Sequence, residues 1–137
     1  MNTIIFDEWF HDLMNRKSEE WRETISVTGS CRKHLGPRTL FAVVSLDFLP
    51  TEQFEINSTL DPAIAKHIQE QGWYQYIIFG ILDVMLTTKI TPIRNFKIVI
   101  REVDFNEIET NQIAFRLAAR DAAFRALATQ YPNLPDK

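Results

Sequence analysis

Leu40-Phe41-Ala42-Val43-Val44-Ser45-Leu46-Asp47-Phe48 is the stretch whose reading decides the fold. Its even positions, Leu40, Ala42, Val44, Leu46 and Phe48, are all apolar, while Ser45 and Asp47 fall between them. Side chains alternate across a strand, so this period of two predicts a β-strand with one buried face. Upstream, Thr24-Ile25-Ser26-Val27-Thr28 alternates as well and is rich in β-branched residues, which predicts a second strand. Between them, Gly29 to Pro37 reads as a polar, basic loop. Downstream, Leu49-Pro50-Thr51 turns the chain, and Phe54-Glu55-Ile56 reads as a short third strand of an antiparallel meander.

The period then changes to that of a helix. Asp61 before Pro62 is a helix start, because Asp accepts from free N–H groups and proline fits the first helical position. Ala63, Ile64 and Ile68 give this helix an apolar side, and Gly72 ends or kinks it. Trp73 to Leu86 reads as a second, largely buried helix, broken at Thr91-Pro92. Residues 93–101 alternate again, with Phe96, Ile98 and Ile100 on one side. Thr110 or Asn111 caps the last helix, which carries Ala114, Ala118 and Ala122 as a small-residue stripe suited to close packing. At the other end, Ile5, Phe6, Trp9, Phe10, Leu13 and Met14 recur at three-to-four spacing and predict an amphipathic helix over residues 1–21. The order is helix, then β-β-β-α-β-α: an α+β two-layer sandwich with a four-stranded, mainly antiparallel sheet and its helices on one face.

The 137 residues suit one domain, with residues 24–128 as its body and 129–137 as a tail in which Tyr131 to Pro135 is not helical. Apolar residues at 45% and charged residues at 24% exclude a mainly disordered chain. The formal net charge of −3 excludes a protein that binds nucleic acid with its whole surface, but not one with a local basic patch. Two such patches stand out. Arg32, Lys33 and Arg38 fall within residues 32–38 with no acid, and Lys89, Arg94, Lys97 and Arg101 face only Asp83 within residues 81–101. With no basic leader, no apolar run long enough to cross a membrane and one cysteine, Cys31, the expected setting is the reduced cytoplasm, without a membrane partner.

Catalytic chemistry is not evident. Gly29, Gly36, Gly72 and Gly80 never assemble into a phosphate-cradling loop, so no nucleotide is expected as a ligand. Cys31 and His34 offer two metal ligands but no second pair, and Arg32 and Lys33 beside them repel a cation, so neither a metal nor another cofactor is expected. No serine sits in a nucleophile-elbow context, and the expectation is a protein that is not an enzyme.

Four segments, in order and with compatible spacing, resemble domain IV of translation elongation factor G. Gly36-Pro37-Arg38-Thr39-Leu40-Phe41-Ala42-Val43-Val44-Ser45-Leu46-Asp47 is similar to the family's G-G-R-G-Q-Y-G-H-V-V-L-D. Gly80-Ile81 through Met85 resembles G-I-Q-E-A-M, and Thr91 to Ile100 resembles the strand Y-P-V-V-D-V-K-V-T-L. Residues 108–118, Ile-Glu-Thr-Asn-Gln-Ile-Ala-Phe-Arg-Leu-Ala, resemble V-D-S-S-E-M-A-F-K-I-A, which begins the last helix.

The resemblance implies a fold of the ribosomal protein S5 domain 2 type and a place beside transfer RNA in the decoding region of the small ribosomal subunit. Its reaching tip is the loop before the second strand together with the turn before the last helix. Arg38 matches the tip arginine, and Asn106 falls where many members have histidine. Pro37, Thr39 and Leu40 replace family glycines and a glutamine, which stiffens the tip and removes a polar contact. The GTPase domain of the family has no counterpart in these residues.

The functional expectation is therefore a stand-alone ribosome- or RNA-binding module acting in translation without GTPase activity. Arg32, Lys33, His34 and Arg38 would meet phosphates, and Asn106 would meet a base edge or 2′-OH. The alternative is a non-catalytic interaction or regulatory domain that retains the fold, binding a partner or forming a homodimer through Phe6, Trp9, Phe10 and Leu13.

Overall fold

The computed structural model describes residues 19–88 and 92–132. Residues 1–18 of the helix predicted over 1–21, with Phe6, Trp9, Phe10 and Leu13, lie outside the described residues. Eight elements follow one another: β1 (Glu19–Glu20), β2 (Ile25–Leu35), β3 (Arg38–Pro50), β4 (Glu55–Ser58), α1 (Pro62–Glu70), α2 (Trp73–Met85), β5 (Ile93–Asp104) and α3 (Gln112–Gln130). The architecture is α+β, a mixed sheet with its helices packed as a second layer, as the change of period predicts.

β3 sits at the centre. It pairs antiparallel with β2 on one side, from Ile25↔Phe48 to Leu35↔Arg38, and antiparallel with β5 on the other. Leu40, Ala42, Val44, Leu46 and Phe48 are all buried, so the decisive alternation is the core face of the sheet. Phe96, Ile98 and Ile100 continue that face on β5 and are fully buried.

Three local expectations need correction. Residues 54–56 do not add to a meander: β4 pairs in parallel with β5, from Glu55↔Lys97 to Ser58↔Ile100. The helices α1 and α2 lie between those two strands, and a parallel pair requires such a crossover. Residues 29–35 are not a loop, because β2 runs on to Leu35 and the turn itself is confined to Gly36 and Pro37. Gly36 has φ +63°, the positive value that a two-residue hairpin loop requires and glycine supplies without strain. Finally, residues 19–21 do not prolong a helix. Glu19 and Glu20 pair in parallel with the start of β5, and Trp21 is buried with its ring 5.6 Å from that of Phe48.

The helix starts are those expected. The Asp61 carboxylate accepts from Ala63 N–H, and Asn111 accepts from Ala114 N–H at 2.9 Å. Gly72, at φ +74°, separates α1 from α2. α3 lies across both layers on its small side chains: Ala114, Ala118, Ala119, Ala122, Ala123 and Ala126 are fully buried. Arg116 then clamps α3 to α2 by donating two bonds to the Asp83 carboxylate, at 2.8 and 2.9 Å. Among the described residues no helix is long and apolar enough to cross a membrane, and no group of side chains is arranged to hold a metal ion.

Candidate nucleic-acid interface

The hairpin tip and the turn before α3 meet in space although they are far apart in the chain. Pro37, Arg38 and Thr39 form one wall of an open groove, and Asn106, Glu107, Ile108 and Glu109 form the other. The two walls are tied together. Phe41 N–H donates to the Glu109 carbonyl at 3.0 Å, and the Thr110 hydroxyl donates to the Phe41 carbonyl at 2.6 Å. Thr110 Oγ1 also accepts from Asn106 N–H at 2.9 Å.

Asn106 organises the turn from within. Its Oδ1 accepts from Glu109 N–H at 2.6 Å and from Ile108 N–H at 3.1 Å, while its Nδ2 donates to Glu109 Oε1 at 3.0 Å. This is the local hydrogen bonding through which asparagine builds turns. The ring of Phe105 stacks on His67 of α1 with centroids 5.3 Å apart and packs edge-on against Trp73, so the turn rests on the helical layer. Ile108 is held at the apex of this turn with 95% of its surface in water. Composition and periodicity do not reveal this exposed isoleucine, because one apolar residue among polar ones carries no pattern.

The four basic candidates of residues 32–38 do not form one cluster. Arg32, Lys33 and His34 lie on β2, where alternation sends neighbours to opposite faces, and Arg38 begins β3. Arg32 is exposed on the face away from the helices, with its guanidinium 4.6 Å from the ring centroid of its cross-strand neighbour Phe41. His34 shares that face, with Nδ1 3.2 Å from Thr39 Oγ1. Lys33 belongs to the helix-side face with buried Cys31, where it lines a second groove between β2 and α3 with Arg120, Asp121 and Arg125. Arg38 is exposed at the tip. Burial pushes the Cys31 thiol above its ordinary pKa, with Lys33 pulling the other way and Asp121 adding to the rise.

Of the second basic stretch, Arg94, Lys97 and Arg101 lie on β5, and Lys89 lies outside the described residues. Arg101 is the extra residue of a bulge, since Ser45 pairs with Glu102 and Leu46 with Ile100. Its Nε donates to Asp47 Oδ1 at 2.6 Å, and the same oxygen accepts from the Ser26 hydroxyl at 2.6 Å. One cation of the stretch is thus neutralised across the open face of the sheet.

No family model matches the chain, and no curated protein matches it. Among solved structures, the chain is similar to a protein from Thermus thermophilus determined by crystallography, with a TM-score of 0.66 and 17% sequence identity. The match covers 76% of this chain and 16% of the other, so the chain spans about a sixth of that protein's length. At that identity the likeness is one of fold.

Proposed function

We propose that this chain is an RNA-binding module of the elongation factor G domain IV kind, which presents the hairpin tip and the 105–111 turn to RNA of the small ribosomal subunit. The observation that carries the reading is the shared groove of Arg38 and Asn106. These are the two positions that the sequence resemblance assigns to a reaching tip, and they line one groove. The similarity in fold to part of a much longer protein supports it too, since domain IV is one part of a long multidomain factor.

In this reading Arg38 and Arg32 meet phosphates, and the exposed Ile108 lies against a base or sugar face. Asn106 keeps the turn in shape instead of reading a base, because its amide is engaged within the turn. The chain supplies recognition only, and any guanine-nucleotide chemistry belongs to another domain or protein.

The test is co-sedimentation of the purified protein with small ribosomal subunits over a range of salt. Binding that weakens as salt rises, and weakens further in Arg32→Ala/Arg38→Ala, is the expected result. Absence of binding to subunits and to structured RNA at low salt ends the reading.

A further inference from the structure

The groove between β2 and α3 is bordered on the strand side by Arg32 as well as Lys33, although the Arg32 guanidinium itself lies over the Phe41 ring. Lys33 comes from the strand, and Arg120 and Arg125 come from the helix. The acid among them, Asp121, is already engaged: it accepts from Arg125 Nε at 3.1 Å and from Ser30 N–H at 3.0 Å. The Ser30 bond ties the helix to the strand, the Arg125 bond runs within the helix, and the groove is left with an excess of positive charge. Arg120 adds an independent sign, because its Nε is buried and has no hydrogen-bond partner among the described residues. Arg120 as a residue is only half-buried, and an anionic ligand oxygen in the groove would give its guanidinium the acceptor that Nε lacks.

We infer that this groove is a second phosphate-binding strip, which holds the backbone of a single-stranded RNA segment continuing from the hairpin tip. The inference rests on the RNA reading above and extends it from one contact to two. A nucleic-acid backbone fits better than an acidic peptide. Its phosphates recur at regular spacing and suit several separate cations along an open groove, whereas a carboxylate-bearing peptide must also satisfy its own backbone groups. Arg120 is the planar, forked donor suited to a phosphate, and Lys33 acts as a point charge. The alternation that separates Lys33 from Arg32 is then functional, since one basic run serves two faces of the hairpin.

The full chain is titrated with a single-stranded oligouridylate at several salt concentrations. Each phosphate contact contributes about −0.7 to the slope of log K against log salt for single strands. Lys33→Ala/Arg125→Ala should therefore flatten the slope by about 1.4, and Arg32→Ala/Arg38→Ala by a similar amount. Both pairs are exposed apart from the aliphatic stems, so melting temperatures should stay close to wild type. Arg120→Lys, which keeps the charge, should hold the slope while lowering affinity several-fold. If the oligonucleotide binds and only the tip pair alters the slope, the groove inference is overturned while the RNA reading stands. If neither this RNA nor ribosomal subunits bind at low salt, both fail together. Binding of oligoglutamate as tight as that of oligouridylate also overturns the inference, because the groove would then accept acidic chains without regard to phosphate.

Discussion

Gly29 of β2 lies directly against Ala122 of α3, so close that a Cβ on Gly29 would stand 2.4 Å from the Ala122 backbone nitrogen and 2.6 Å from its Cβ. Gly80 of α2 meets the other side of the same helix, where a Cβ would lie 2.3 Å from the Arg116 carbonyl oxygen. The atoms in the way are mostly helix backbone, which cannot rotate aside as a long side chain can. α3 is thus seated on the strand by one glycine and on the neighbouring helix by another, with its own alanines completing both contacts.

Gly29→Ala and Gly80→Ala should each destabilise the protein by about 1–3 kcal/mol or more, the usual range for overpacking a well-filled interior. Gly36→Ala, whose Cβ would meet nothing within 4 Å, should lose stability only through its positive φ. Urea unfolding of the three variants checks the order. A Gly29→Ala protein as stable as wild type would show that α3 does not sit this close to β2.

Asp47 joins three strands on the open face of the sheet, accepting from Ser26 on β2 and from Arg101 on β5. The bulge at Arg101 bends β5 so that this guanidinium reaches across. Asp47→Ala should lower stability by about 1–3 kcal/mol, since hydrogen bonds to charged groups are the stronger kind and the site is partly shielded from water. Ser26→Ala should lower it by about 1 kcal/mol or less. Chemical denaturation of both variants, with the double variant to test coupling, measures the link.

The decisive alternation was legible because β3 fully buries one apolar face while Ser45 and Asp47 interrupt the half-covered other one, so its period survives in the sequence. The distal half of β2 was not legible for the opposite reason. Beyond Cys31 the strand passes the end of the core, both its faces are wet, and Arg32, Lys33 and His34 carry no alternation. Its strand character comes from β3, whose Thr39, Leu40 and Phe41 it pairs. The position of β4 was hidden too, since Phe54-Glu55-Ile56 says nothing of which edge it joins. A signal did exist: two helices before the next strand favour a parallel crossover over a meander. As for the candidate site, the resemblance singles out Arg38 and Asn106, which line one groove, whereas no sequence pattern marks Arg120 and Arg125, which the fold brings beside Lys33.

Cys31 gives a dependence on alkaline pH. Burial raises its thiol pKa in the folded protein, so the unfolded chain ionises first as pH rises. The thiol then has no effect on the pH profile below the ordinary thiol range, and stability falls as pH climbs from that range toward the raised folded value. Tyr74, also raised by burial, contributes a similar loss at higher pH. Cys31→Ala should remove the thiol share of this loss, so the stability gap between wild type and variant should narrow from about pH 8 to about pH 10. Thermal melts across that range read it, and a gap independent of pH would show that Cys31 is not shielded.

Asn106 separates a residue that shapes the tip from one that touches RNA. Its side chain accepts from two backbone N–H groups of the turn and donates to Glu109. Asn106→Ala leaves those N–H groups to water or to nothing, and should lower stability by about 1–2 kcal/mol. Asn106→Asp keeps the accepting oxygen but loses the donated bond and sets a second carboxylate beside Glu109, so an intermediate loss is expected. RNA affinity should fall in both variants in proportion to the loosening of the turn, because Ile108 and the wall facing Arg38 depend on it. Arg32→Ala/Arg38→Ala should behave differently, losing affinity with little change in melting temperature. The comparison therefore places each variant on a plane of stability against affinity. An Asn106→Ala protein that keeps its full stability and still loses RNA binding would mean that the amide contacts RNA directly, and its positioning role would be wrong.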